Sequence, residues 1–200
     1  MLTVGANSAE VEARLVSGGL VCPGCAGSLG PWGWARTRSL RGAVGPVVVR
    51  PRRARCSSCR VSHVLLPVFA LLRRADLVEV IGAALAAKAV GCGARTIAAG
   101  LARPVETVRD WLRTFAARAE ALRAWFTVLL VDTGVDPVPP AAARTPFADA
   151  VAAVLGAVVA ARSRWPRVGV VSPWWWASAA SAGRLLAPGW PGAGRNTSSP

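Results

Sequence analysis

The sequence predicts a mainly α-helical protein with a small β ribbon at its N-terminal end, and three observations carry this. Two C-x-x-C pairs, Cys22-Pro23-Gly24-Cys25 and Cys56-Ser57-Ser58-Cys59, flank a Gly/Pro/Trp-rich stretch with short strand-like runs. From Arg73 to Val131 apolar residues recur at helical spacing. After that come a Pro/Ala-rich linker, two helix-start signatures and a Gly/Pro/Ser-rich tail. The expected division is residues 1–70, ribbon with an N-terminal helix; 73–131, a helical pair extended by a long helix; 132–187, linker and C-terminal helices; and 188–200, a disordered tail.

Each element has a local reason. Asn7 and Glu10 fit a capping box that opens a helix over Ser8–Ser17, and Gly18-Gly19 ends it. Cys22 to Gly45 shows little periodicity. Val47–Val49 and Ala54–Leu66 read as short strands bounded by Pro46, Pro51 and Pro67. Val78, Ile81, Leu85 and Ala89 form one apolar helical stripe, broken at Gly91 and Gly93. A short helix, Ala94–Leu101, precedes a long one running from Val105 to about Val131, with Pro104 where a first-turn proline is tolerated. Beyond the linker Asp132–Arg144, a helix spans Phe147–Arg162 behind Thr145 and Pro146, and another spans Pro173–Leu186 behind Ser172.

Charge narrows the partner. The chain has 200 residues and a formal net charge of +14, with half of its residues hydrophobic. Arg, Ala, Gly and Pro dominate, a bias expected of a GC-rich coding sequence. That bias would raise arginine everywhere, but it would not empty one stretch of acids. From Ala13 to Ala75 there is no Asp or Glu; Arg14, Arg36, Arg38, Arg41, Arg50, Arg52, Arg53, Arg55, Arg60, Arg73 and Arg74 place +11 of the +14 there. Such a segment attracts polyanions, with nucleic acid and anionic membrane as the usual candidates. The first twelve residues lack the basic start and apolar core of a secretory signal. The apolar run Ala150–Ala161 is short for a bilayer, so no membrane insertion is expected. A cytoplasmic location, nucleoid-associated, is the expectation, and there paired thiols stay reduced and favour a metal over a disulfide.

Four soft ligands converging on one point suit a tetrahedral zinc. A C-x-x-C on a tight turn presents two thiolates, so Cys22, Cys25, Cys56 and Cys59 are the expected ligands of one structural ion. The loop Ala26–Arg55 is longer than the common spacing and has room for a hairpin. The competing reading is a thioredoxin-like dithiol, which would want a βαβ context. His63, four residues past Cys59, is either a substitute ligand or a strand residue behind the second turn. Cys92 reads as a small buried hydrophobe. Trp32 and Trp34, interleaved with Arg36 and Arg38, are either core plugs or surfaces on which bases stack.

The segment from Ala94 to Trp111 has the rhythm of a helix-turn-helix. Ile97, Leu101, Val108 and Trp111 supply the apolar contacts, and Ala102–Pro104 the turn. Ala102 holds a position that favours Gly because of positive φ, with Gly100 close enough to share the strain. The second helix of such a unit enters the major groove of DNA, with Glu106, Thr107, Arg109, Asp110 and Arg113 facing out. Arg109 and Arg113 share a face and reach guanine edges or phosphates, while Arg95 and Thr96 suit backbone phosphates. Arg36, Arg38, Arg52 and Arg53 add ribbon contacts. The stripe Phe115, Ala119, Leu122, Trp125, Phe126 and Leu129 is heptad-like, which suits either a homodimer through the long helix or packing against the C-terminal helices. Trp174-Trp175-Trp176 and Trp190 fit the core or a surface patch.

The run Cys56–Pro67 (CSSCRVSHVLLP), then a helix, then ARTIAAGLARPVETVRDWL, resembles the N-terminal DNA-binding region of insertion-sequence transposases. It is more similar still to a family of short actinobacterial proteins with a zinc ribbon and a helix-turn-helix, often linked to mobile elements. CPGC at Cys22 and PWGWARTR at Pro31 match that style, and the resemblance covers Val11–Phe126, with a weaker echo at Ser178–Trp190. It implies zinc on Cys22, Cys25, Cys56 and Cys59, a recognition helix over Val105–Phe115, and a transposase or integrase as partner. A DNA-cutting domain would need clustered carboxylates on an α/β scaffold. After the long helix only Asp132, Asp136 and Asp149 remain, in a linker and in a helix's first turn, so a stand-alone accessory protein rather than an enzyme is expected. The alternatives are an RNA-binding ribbon protein and a degenerate transposase or nuclease.

Overall fold

The computed structural model describes residues 1–166 and 171–192. Its N-terminal part holds β1 (Leu2–Val4), α1 (Ser8–Val16), β2 (Leu29–Trp34), β3 (Arg38–Arg41), β4 (Pro46–Val49), β5 (Arg52–Cys56) and β6 (Ser62–Pro67). The helices α2 (Val78–Ala89), α3 (Ala94–Gly100), α4 (Val105–Ala116), α5 (Ala119–Thr133), α6 (Pro146–Arg164) and α7 (Pro173–Ala180) follow, making seven among the described residues. The fold is therefore mixed α/β, mainly helical by length.

Strands β1, β6, β5 and β2 form one sheet in that order, with β1 parallel to β6 and the other pairs antiparallel. Val11 and Leu15 of α1 pack on its inner face with Leu29, Ala54, Cys56 and Leu65, a small core of its own. Asn7 caps α1 by accepting from the amides of Ala9 and Glu10. Glu10 departs from the expected box by accepting from the Asn7 side-chain amide instead of the cap's backbone. The long loop between the cysteine pairs does hold a hairpin, β3–β4. Three strands went unseen in the sequence. β1 is only three residues long, β3 carries arginines at two of its four positions, and β2 is built mostly of Gly, Pro and Trp, a run with little strand signal.

A larger core joins α2–α7. Trp174 seats against Gly82, where an added Cβ would lie 2.1 Å from the indole. Trp190 stacks edge-on against Trp125 at 5.0 Å, and Phe126 lies between it and Trp176.

Three expectations need correction. The long helix is two: it bends at Ala117–Arg118, where the Arg118 guanidinium turns inward, donating to the carbonyls of Thr114, Ala187 and Trp190. Its apolar stripe packs on the core: Phe115, Ala119, Leu122 and Phe126 are buried, and Trp125 and Leu129 are partly buried against it. The last helix stops at Ala180 rather than Leu186, because Ala182 and Gly183 take positive φ and Gly183 lies so close to Leu66 that a Cβ would sit 2.6 Å from it. Residues 188–192, expected as disordered tail, are tied down through Trp190; the rest of that tail, 193–200, lies outside the described residues. One helix among the described residues, α6, is long and apolar enough to cross a membrane by length and composition, a test that a buried core helix also passes. It packs against α2, α4, α5 and α7.

Candidate functional site

Each cysteine pair sits on the same backbone device. The Cys22 amide donates to the Gly27 carbonyl at 2.8 Å, and the Cys56 amide donates to the Val61 carbonyl at 3.0 Å, each reaching five residues ahead. Behind each second cysteine the chain turns through a left-handed residue, Ala26 at φ 58° and Arg60 at φ 61°. Ser57 ties the two turns together, its amide donating to the Ser28 carbonyl at 2.9 Å. They approach so closely that a Cβ on Gly27 would lie 2.4 Å from Ser58 Oγ and 3.0 Å from Cys56 Sγ.

This brings four thiols together. Cys22 Sγ lies 3.8 Å from Cys59 Sγ, Cys25 Sγ lies 3.5 Å from Cys56 Sγ, and all four sulfurs fall within 4.8 Å of one another. A tetrahedral ion with thiolates at about 2.3 Å has sulfur–sulfur edges of about 3.8 Å, so the cluster fits one metal ion; disulfide sulfurs would be about 2.0 Å apart. Cys22 and Cys56 are buried, while Cys25 and Cys59 face solvent. Among the described residues it is the one group of three or more side chains arranged to hold a metal.

Two of the thiols are shifted in opposite directions. The Cys59 backbone N–H, aimed at Cys56 Sγ, pulls that thiol down to about 6 against the cost of burial. The Val61 amide favours a Cys59 thiolate, but the neighbouring Cys25 thiol and burial outweigh it and push Cys59 up to about 12. The Cys56 thiolate is thus favoured while ionisation of Cys59 is resisted. Buried His63 stands beside the cluster, its Nε2 3.4 Å from Cys22 Sγ and its Nδ1 3.1 Å from the Met1 amino nitrogen. Burial, and then that ammonium, depress its pKa and keep the ring neutral. It touches one sulfur of the four, as a neighbour of Cys22. A cleft of about 610 Å³ separates this end of the ribbon from the helices, lined in part by Pro23, Gly24, His63, Trp125 and Trp190.

The basic residues divide into two groups. In α4, Val108, Trp111, Leu112 and Phe115 face the core, leaving Glu106, Arg109 and Arg113 exposed and Asp110 and Thr107 partly so. Those charges are largely paired: Arg109 with Glu106, and Asp110 with Arg74 at 2.6 Å and Arg113 at 4.0 Å. Arg95 and Thr96 are exposed at the start of α3. On the ribbon, Arg52 forks onto Glu12 and Arg41 pairs with Asp76. Arg38 donates to the Arg74 carbonyl. Arg14, Arg36, Arg38, Arg50, Arg53, Arg55, Arg60 and Arg73 have no carboxylate partner among the described residues.

Trp32 and Trp34 are each half exposed. A β-bulge between Pro31 and Trp34, with Gly33 at φ 88°, separates them. Trp34 pairs with Arg52 on the α1 side of the sheet, with the Arg52 and Arg50 guanidiniums 4.5 and 5.6 Å from its ring centre. Trp32 lies under Arg55 at 4.4 Å, on the opposite face from Ala54 and the inner core. Asp76 and Arg103, which the sequence did not single out, form a clamp with half-exposed Arg41 around a buried carboxylate: Asp76 Oδ2 accepts from Arg41 and Oδ1 from Arg103, both at 2.6 Å. An aspartate immediately after the acid-free stretch Ala13–Ala75 was the available signal.

Comparison with protein-family models, with curated proteins and with solved structures finds no match to this chain.

Proposed function

We propose that the chain is a zinc-stabilised DNA-binding protein. The observation that carries this reading is the run of eight arginines without carboxylate partners from Arg14 to Arg73, in and just behind the part that holds the four-cysteine cluster, a stretch with no acid of its own. Zinc suits a closed set of four thiolates with no position left for water, a structural rather than catalytic site. Fixed on a rigid ribbon, those guanidiniums replace condensed counterions on a phosphate backbone. The α3–α4 pair acts as the helix-turn-helix, with α4 in the major groove; its surface ion pairs are individually weak and exchange for phosphate partners. The resemblance read in Cys56–Pro67 and Ala94–Leu112 favours a place in a mobile element, beside a transposase or integrase, and the scarcity of carboxylates after α5 favours a non-enzymatic role there.

Trp32 favours a second reading. A half-exposed ring under a guanidinium offers a stacking surface for an unpaired base, as in single-stranded RNA binding. The test is a titration of zinc-loaded protein with duplex DNA and with single-stranded RNA at two salt concentrations, repeated after chelation. The DNA reading expects duplex preference that weakens with salt and collapses without metal. Preference for the single strand replaces it with the RNA reading.

A further inference from the structure

The β3–β4 hairpin and the α3–α4 turn are some sixty residues apart in sequence, yet they are joined by a dense polar weld. Arg103, in the turn, donates Nε to Asp76 and Nη1 to the carbonyls of Leu101 and Ala102. Its Nη2 donates to the carbonyl of Gly42, at the end of β3, at 2.6 Å. Arg41 reaches the other Asp76 oxygen, and its backbone bonds on both sides with residues 75–77, its amide to the Ala75 carbonyl and its carbonyl from the Leu77 amide. Leu77 caps α2. Gly42 is pressed so tightly that a Cβ would lie 2.6 Å from the Gly45 carbonyl oxygen and 3.2 Å from Leu77. The hairpin is thus held rigidly beside the N-terminal end of α4.

What this weld presents is specific. From Ala35 to Pro51 there are four arginines and no acid. At the apex Val44 is fully exposed, an aliphatic side chain held out by a rigid loop with nothing among the described residues to bury it. In a helix-turn-helix the first residues of the second helix face base edges. A basic loop fixed next to that end meets the same ligand.

We infer that the β3–β4 hairpin is a second duplex-DNA contact element, engaging the backbone next to the groove that α4 enters, with Val44 against the duplex and the exposed Arg36 and Arg50 facing phosphates, while Arg41 stays on Asp76 and holds the hairpin in place. This rests on the DNA-binding reading and extends it to residues outside the helix pair. Charge complementarity selects duplex DNA as the occupant. An acid-free loop with a rigid apex suits a regular polyanion, and its reach is fixed relative to α4.

The experiment is a fluorescence-anisotropy titration of the zinc-loaded full chain with a labelled mixed-sequence duplex over a range of salt, for wild type, Val44→Glu, Val44→Arg and Arg113→Ala. Position 44 lies in solvent, so melting temperatures of its variants should match wild type. The inference expects Val44→Glu to weaken binding about tenfold and Val44→Arg to tighten it, steepening the log–log salt slope by about 0.9 for one added phosphate contact. If both Val44 variants bind as wild type with an unchanged slope while Arg113→Ala weakens binding, the hairpin is no contact element and the DNA reading stands. If wild type binds no duplex, both fall together.

Discussion

Asp76 Oδ1 sits 2.6 Å from Arg103 Nε, joining the segment ahead of α2 to the turn between α3 and α4. The Asp76 side chain is 2 % exposed and that of Arg103 10 %, so neither charge has water as an alternative partner. Breaking such a pair from one side leaves an uncompensated buried charge, at a cost of about 3–5 kcal/mol. Asp76→Ala should therefore destabilise the chain by that order in urea denaturation. Adding Arg103→Ala should cost little more, since the coupling has already gone. Full additivity of the two losses would show that the residues act independently.

Gly27 sets how close the two cysteine turns come. Gly27→Ala would place a methyl against Ser58 and Cys56 Sγ. The expected result is at least tenfold weaker metal binding in a chelator competition, with the thiol count unchanged. A Gly27→Ala protein that holds metal like wild type would mean the turns can part without loss.

Ala102 adopts φ 50° in the turn before α4, as the sequence led one to expect, and Gly100 does not relieve it, being within α3. Left-handed backbone costs a residue with a Cβ about 1 kcal/mol. Ala102→Gly removes that strain and loosens the unfolded chain, so a net gain of about 0.5 kcal/mol is expected, read as a small rise in melting temperature. A fall would mean that the methyl packs usefully in the turn.

Arg52 grips Glu12 with two hydrogen bonds, and these hold the Glu12 carboxyl below its ordinary value of 4.5. A lowered native pKa stabilises fully above the unfolded value and is lost as pH falls through the native one. Stability should therefore decline below about pH 4.5. Glu12→Gln should flatten part of that decline and leave stability at pH values below the native pKa unchanged. An identical acid profile in the variant would remove this pair as a cause. The pair is partly exposed, so the effect is modest.

The cysteine spacing made the cluster legible because C-x-x-C turns carry their geometry locally. Thr145-Pro146 and Ser172-Pro173 likewise marked helix starts that the structure keeps. What sequence could not show was long-range. Nothing near Arg118 signals that it bends a helix; its partners lie at residues 187 and 190. Nor does the outward face of α4 reveal that Asp110 answers Arg74 from another part of the chain. The bulge that parts Trp32 from Trp34 depends on pairing with β5, so their alternation along β2 reads falsely as one face.

The Arg118 bend also has a consequence for biosynthesis. Its Trp190 carbonyl partner is made 72 residues later, on the order of 4–14 s at roughly 5–20 residues per second. The ribbon has its strands and cysteines within the first 67 residues and can close early around a metal. The helical half waits for the strap that fixes its bend. During that interval a guanidinium and the apolar faces of α4 and α5 stand open, so the nascent chain is most exposed to aggregation and proteolysis after the ribbon has closed.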